Sequence, residues 1–124
     1  VFRRFTGYES KSLQGLQDFN AITARMEVLP LFLGGNLETQ RFRHLLSSPL
    51  YWVTPRAAPT LCIHGTEDKY VAHEQAVWLV EKMKASGAEA DLLTLPGAGH
   101  GFKGKDAETA EAALMAFFDK RLKK

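Results

Sequence analysis

The chain has 124 residues, which is enough for one domain. Its hydrophobic share of 45% and its charged share of 24% are ordinary for a soluble globular protein, cytoplasmic or exported. The formal net charge of +2 is too small to indicate a nucleic-acid partner, and no apolar run approaches the roughly 20 residues of a membrane span. The single cysteine, Cys62, excludes an intrachain disulfide. Because the chain begins with Val1 rather than Met, we expect further protein upstream.

The amino-terminal part of the chain carries weak secondary-structure signals. Residues Leu13–Met26 show loose helical spacing, and a turn or helix end is predicted at Gly34-Gly35. A short helix is predicted from about Leu37 to Leu46, with Asn36 as its amino-terminal cap. We expect it to end before Pro49, because a residue that precedes proline is pushed out of the helical region.

The pattern sharpens after Pro59. The apolar run Thr60–His64, which ends at Gly65, predicts a strand buried on both faces, as in a parallel sheet. A helix follows, with Gly87 at its carboxyl-terminal cap; its apolar positions recur at helical spacing, at Ala76, Val77, Leu79, Val80 and Met83.

A second strand is predicted over Ala90–Leu95, where Pro96-Gly97 stops it. The last helix is amphipathic, and we expect Asp106 to cap it; its apolar positions are Ala110, Ala113, Leu114, Phe117, Phe118 and Leu122. Strand, helix and strand within roughly 35 residues have the size of a right-handed βαβ unit with parallel strands.

Two polar loops leave the same edge of this predicted sheet. One follows the first strand and contains Glu67 and Asp68; the other follows the second strand and contains His100 between glycines. Ligands of open parallel sheets bind beyond the carboxyl ends of the strands, and neighbouring strands lie ~4.8 Å apart. If these two strands are neighbours, a carboxylate can reach the His100 imidazole, fix its tautomer and stabilise its charged form during proton transfer.

An acid and a base need a nucleophile, and the sequence lacks the expected motif for one. His100 could activate a serine held in a G-x-S-x-G elbow. No serine here has glycines two residues away on both sides; the serines are Ser10, Ser12, Ser47, Ser48 and Ser86.

Both loops resemble those of a known family. The segment Pro59–Val71, with the pattern P-x-x-x-x-H-G-x-x-D-x-x-V, is similar to the acid loop of esterases, lipases and prolyl-oligopeptidase-type peptidases with the α/β-hydrolase fold. The segment Leu95–Phe102 resembles the family's base loop, which closes with G-H-G-F. Phe32–Gly35, followed by Ser48-Pro49, resembles the segment before the acid strand in feruloyl-esterase-like and carboxylesterase-like members. One departure is Ala72, where the family often has proline.

The resemblance implies an α/β fold: the C-terminal part of a doubly wound, mostly parallel α/β-hydrolase sheet. Residues 1–58 would be a cap or connecting region, and residues 59–124 the βαβα unit that bears the acid and the base. The family pattern favours Asp68 over Glu67 as the acid, because it lies four residues after the histidine of the H-G pair, and it makes His100 the base.

The function implied is that of a serine hydrolase acting on small carboxylic esters through a Ser-Asp-His triad whose serine lies upstream. No cofactor is expected, and the 124-residue chain alone would be inactive. A prolyl-oligopeptidase-type peptidase is the first alternative, since it shares these loops. A non-catalytic binding module built on a hydrolase remnant is the second.

The other histidines and the cysteine have simpler interpretations. His64 is predicted to support its loop by hydrogen bonding at a strand end, and His44 and His73 to be solvated or capping residues on helices. Cys62 is predicted to be a small core residue.

The sequence disfavours two other ligand sites, one for a metal ion and one for a dinucleotide. A metal site is conceivable because several ligand types converge, but no ligand spacing such as H-E-x-x-H is present; the candidates are His64, Glu67, Asp68, His73 and His100. Gly99–Gly104 matches G-x-G-x-x-G, with Asp119 about twenty residues on. That acid falls in the last predicted helix instead of ending a strand, which disfavours dinucleotide binding.

Overall fold

The structure is a computed structural model that describes residues 28–122. The described residues divide into two compact units, with the boundary between Val53 and Thr54. The helix predicted over Leu13–Met26 lies outside the described residues. None of the helices within residues 28–122 is both long enough and apolar enough to cross a bilayer.

In the first unit, helix α1 spans Val28–Leu33 and ends in the predicted glycine turn. Gly34 has a φ of 77°, in the left-handed region that glycine enters at little cost, and the Gly35 N–H donates to the Pro30 carbonyl at 2.7 Å. The prediction of a helix end at Gly34-Gly35 is confirmed.

Helix α2 spans Arg41–Leu46, so the predicted start near Leu37 is wrong by four residues. The Asn36 side chain does act as an acceptor, but its Oδ1 binds the N–H groups of Glu38 and Thr39 and closes a turn ahead of the helix. The helix ends before Pro49, as predicted, and a 3-10 helix that the sequence did not reveal follows at Pro49–Trp52.

The second unit contains the predicted βαβα order. Strand β1 spans Thr60–Gly65, helix α3 spans Glu74–Ala85, strand β2 spans Ala90–Leu95 and helix α4 spans Lys105–Leu122. The strands are parallel neighbours, with Thr60 opposite Ala90 and Gly65 opposite Leu95. The expectation of adjacent parallel strands is therefore confirmed.

The two faces of this sheet pack differently. Ile63, Leu93 and Leu95 pack with Ala110 of α4 in one apolar cluster. Side chains alternate along a strand, so His64 and Thr94, which are paired in register, lie on the other face. Within β1 only Gly65 is fully buried, so the prediction of a strand buried on both faces is wrong. The reason is that the described sheet has two strands, so the side chains of β1 are flanked by those of a neighbouring strand on one side only.

The end of helix α3 and the start of helix α4 test two predicted caps. Helix α3 closes with two hydrogen bonds, from Gly87 N–H to Lys84 O and from Ala88 N–H to Met83 O, and Gly87 has a φ of 84°. This confirms Gly87 as the glycine that ends the helix. Helix α4 begins at Lys105, so Asp106 lies inside its first turn and is not the cap as predicted. A carboxylate in the first turn still stabilises the helix, because it lies near the positive end of the helix dipole.

Candidate active site

The acid loop follows β1 and holds Asp68 in a tight turn. The Asp68 Oδ1 accepts the backbone N–H groups of Tyr70 at 2.8 Å and Val71 at 2.9 Å. The Asp68 side chain is only 6% exposed. Asp68 is therefore a buried acceptor, whereas its neighbour Glu67 is exposed.

The base loop follows β2 and carries His100, whose side chain is 55% exposed. Gly97 and Gly101 have φ angles of 77° and 92°, so the chain reverses on both sides of the histidine in conformations that other residues rarely adopt. The loop thus presents an accessible imidazole at the carboxyl end of the sheet.

Asp68 and His100 meet, as predicted from the adjacent strands. The His100 Nδ1 lies 2.9 Å from the Asp68 Oδ2. An ionised carboxylate can only accept, so Nδ1 carries the proton and Nε2 keeps its lone pair. This is the tautomer that a general base requires. The geometric prediction is confirmed, while the catalytic roles of Asp68 and His100 stay predictions.

The surroundings of Asp68 keep it ionised. Burial raises the pKa of its carboxyl, but the Val71 N–H, the His100 side chain, the Tyr70 N–H and the charge of His100 together outweigh that effect, in this order of size. The pKa of Asp68 therefore lies below its usual value. At neutral pH the partner of His100 is a carboxylate.

Backbone contacts between the two loops fix this geometry. The Thr66 N–H donates to Leu95 O at 3.1 Å, and the Glu67 N–H donates to Ala98 O at 2.9 Å. The Thr66 Oγ1 accepts the Gly97 N–H at 2.8 Å. The acid and base loops are thus joined along their first residues, just before Asp68 and His100.

Gly65 permits this close approach. A Cβ at position 65 would overlap the carbonyl of Ala98, whereas a Cβ at Gly99 would meet only the Glu67 carbonyl oxygen, at 3.8 Å. The sequence places His100 between glycines, but it did not predict the need for glycine at position 65. The H-G pair of the motif was the available signal.

We expect Gly65→Ala to lower the free energy of unfolding by about 1–3 kcal/mol, because the added methyl group must displace the Ala98 backbone. Gly99→Ala is the matched control and should change stability by less than about 0.5 kcal/mol, since its methyl group has ordinary contact distances. Urea unfolding of both variants measures the difference. Equal stability of Gly65→Ala and the wild type would contradict the close approach.

Other residues at this edge were only partly anticipated. The His64 Nε2 lies 2.9 Å from Val71 O, so the predicted support of the loop by His64 is confirmed. His73 precedes α3, but its side chain caps nothing; its Nε2 lies 3.0 Å from the Thr94 Oγ1, which corrects the prediction of a solvated or capping residue. The sequence did not predict the contact of Tyr70, whose ring centroid lies 5.2 Å from that of His100.

Two further side chains behave differently from the site residues. His44, in α2, is not simply solvated, because its Nε2 lies 3.1 Å from Gly35 O. Cys62 is half-buried in β1, and burial raises the pKa of its thiol, which disfavours the nucleophilic thiolate.

A cavity of about 220 Å³ opens beside the acid–base pair. Its lining includes both Asp68 and His100, together with Val71 and Phe102. Within residues 28–122, no three His, Cys, Asp or Glu side chains are placed to hold a metal ion. The arrangement can therefore offer a small substrate a base with a fixed tautomer, next to apolar surface.

A match to a protein-family model shows which family this chain belongs to. The model of the prolyl oligopeptidase family matches residues 33–124, well over half of the chain. The chain belongs to the prolyl oligopeptidase family. The predicted resemblance to α/β-hydrolases and the α/β fold class are thereby confirmed.

Two proteins named as esterases are similar to this member of the prolyl oligopeptidase family. Esterase LipC of Mycobacterium tuberculosis is 47% identical over 57 residues, which are 45% of this chain and 14% of LipC. A truncated form of a carbohydrate esterase from gut microbiota is 30% identical with a TM-score of 0.52, over 60% of this chain and 27% of the esterase. The matched part thus spans less than a third of either relative.

Proposed function

We propose that this chain supplies the acid and the base of a serine hydrolase that acts on carboxylic esters. The observation that carries the proposal is the hydrogen bond between His100 Nδ1 and Asp68 Oδ2, 2.9 Å long, beside a cavity at the carboxyl edge of two parallel strands. That both similar proteins carry the name esterase supports an ester as the substrate.

The chemistry follows from the tautomer. The free Nε2 of His100 removes the proton from a serine hydroxyl, whose oxygen attacks the ester carbonyl to give a tetrahedral intermediate. The protonated Nε2 then delivers that proton to the leaving alcohol, and an acyl-enzyme remains. Water attacks the acyl-enzyme with the same assistance from His100, releasing the acid and restoring the serine.

Asp68 has an electrostatic role in both steps. It stays a carboxylate, holds Nδ1–H toward itself, and stabilises the imidazolium that forms when Nε2 takes the proton. We place the serine outside these 124 residues, which contain no G-x-S-x-G elbow. The domain assignment of residues 1–58 as a cap or connecting region belongs to the same proposal.

Two alternatives make different predictions. Membership in the prolyl oligopeptidase family favours a peptidase that uses the same two loops. A non-catalytic binding module would keep the Asp68–His100 pair without a serine to activate.

The test uses the complete protein that contains this chain. A fluorophosphonate probe, which labels activated serines, should label it, and should not label the 124-residue chain alone. Hydrolysis rates are then compared for p-nitrophenyl butyrate, its p-nitroanilide analogue and a proline-containing peptide p-nitroanilide. We expect turnover of the ester only. Preferential cleavage of the prolyl peptide would establish the peptidase instead, and absence of both labelling and turnover would establish the binding module.

A further inference from the structure

The side chain of His64 reaches the acid from behind. His64 lies on β1 directly before Gly65, and its side chain is only 13% exposed. Its Nε2 lies 2.9 Å from Val71 O and 3.3 Å from Asp68 Oδ2. Val71 O can only accept, so Nε2 carries the proton and directs it at that carbonyl, with Asp68 Oδ2 in close contact beside it.

The two oxygens of Asp68 are therefore anchored by different groups. Oδ1 is fixed by the backbone N–H groups of Tyr70 and Val71. Oδ2 lies between two imidazoles, the buried His64 and the half-exposed His100. Hydrogen bonds to Oδ1 alone would let the Asp68 carboxylate rotate about that oxygen. A second contact, at Oδ2, fixes the direction in which the carboxylate faces His100.

The His64 ring is itself held in place. The ring of His73 meets it edge-on, with 5.6 Å between centroids and 84° between the ring planes. His73 is in turn held by its contact with the Thr94 Oγ1 on the neighbouring strand. The N–H donor next to Asp68 is thus the mostly buried His64 ring, which lies on the sheet and not on the loop.

We propose that His64 is a positioning residue of the proposed site: its Nε2–H donates to Val71 O and lies in close contact with Asp68 Oδ2, which holds the carboxylate in the orientation that keeps His100 in the Nδ1–H tautomer. This inference rests on the proposed function for its effect on turnover. Its effect on the His100 tautomer is independent of any activity.

Three variants separate positioning from a merely structural contribution. His64→Gln keeps a side-chain N–H that can reach the same two oxygens. His64→Leu has a similar size but no donor. Leu92→Ala is the stability control: by the alternation of side chains it shares the sheet face of His64 and Thr94, and it contacts no substrate in the proposed site.

In the complete protein, we expect His64→Leu to lower kcat for p-nitrophenyl butyrate by about ten- to a hundredfold with little change in KM, the range seen when an orienting partner of a metal-bound histidine is lost. His64→Gln should recover most of this loss. Leu92→Ala should lower the thermal midpoint at least as much as His64→Leu does, but its kcat should equal that of the wild type. Equal kcat losses in His64→Leu and His64→Gln, or in His64→Leu and Leu92→Ala, would overturn the inference.

The tautomer is read by ¹⁵N NMR of the histidine rings in the complete protein. Wild type and His64→Gln should show His100 protonated at Nδ1, whereas His64→Leu should show a mixture with the Nε2–H form. An unchanged tautomer together with full activity of His64→Leu overturns the positioning role. If instead His100→Ala retains activity, the proposed function fails, and the tautomer measurement still decides whether His64 orients Asp68.

Discussion

Replacing His100 with alanine is expected to reduce kcat for ester hydrolysis by about 10⁴-fold or more in the complete protein, because the proton then has no acceptor. What remains would come from binding and from stabilisation of the oxyanion. Folding should be little affected, since the side chain is more than half exposed and lies on a loop. The measurements are kcat/KM on short-chain p-nitrophenyl esters and the thermal midpoint.

The control for His100→Ala is Lys103→Ala, an exposed position three residues further along the same loop. It should keep wild-type activity and stability. Full activity of His100→Ala would exclude its role as the base, and a collapse of its thermal midpoint would show that the loss of rate comes from unfolding.

The second large effect is expected for Asp68→Asn, which should also lower kcat by about 10⁴-fold. Asparagine keeps an oxygen for the N–H groups of Tyr70 and Val71, so the turn can persist. It removes the negative charge that fixes the His100 tautomer and stabilises the imidazolium. Glu67→Gln is the matched control and should retain most activity, because Glu67 is exposed and Asp68 is the acid that contacts His100. The reverse result, with Asp68→Asn active and Glu67→Gln inactive, would reassign the acid.

The pH dependence of stability gives Asp68→Asn a second readout. The pKa of Asp68 is lowered in the folded protein, so its ionisation stabilises the fold above the unfolded value of about 3.9. This contribution is lost as the pH falls through the lowered folded pKa. Asp68→Asn should therefore melt below the wild type at neutral pH, and the difference in Tm should shrink in acid. A difference in Tm that stays constant from pH 7 to below pH 3 would show that Asp68 contributes no such stabilisation.

Much of the second unit could be predicted because its signals are local. The predicted bounds of strand β2, Ala90–Leu95, are the observed ones, since a mostly apolar run of six residues stopped by Pro96-Gly97 is too short for a typical helix and favours a strand. Helix starts were less accurate. Asn36 and Asp106 have the chemistry of caps, but the same side chain can close a turn or lie in a first helical turn, and local sequence does not distinguish these uses.

The sequence by itself determined that the loops carrying Asp68 and His100 leave the same edge of the sheet, because the loops after two parallel strands both begin at the carboxyl ends of those strands. Only the tertiary structure decided which atoms meet there. The approach of Gly65 to Ala98, and the contact of Asp68 Oδ2 with His100 Nδ1, depend on strand register and on ångström-scale backbone distances. The Asp68–His100 contact joins residues 32 positions apart, so no local pattern of residue types records it; it exists only once the two strands are paired.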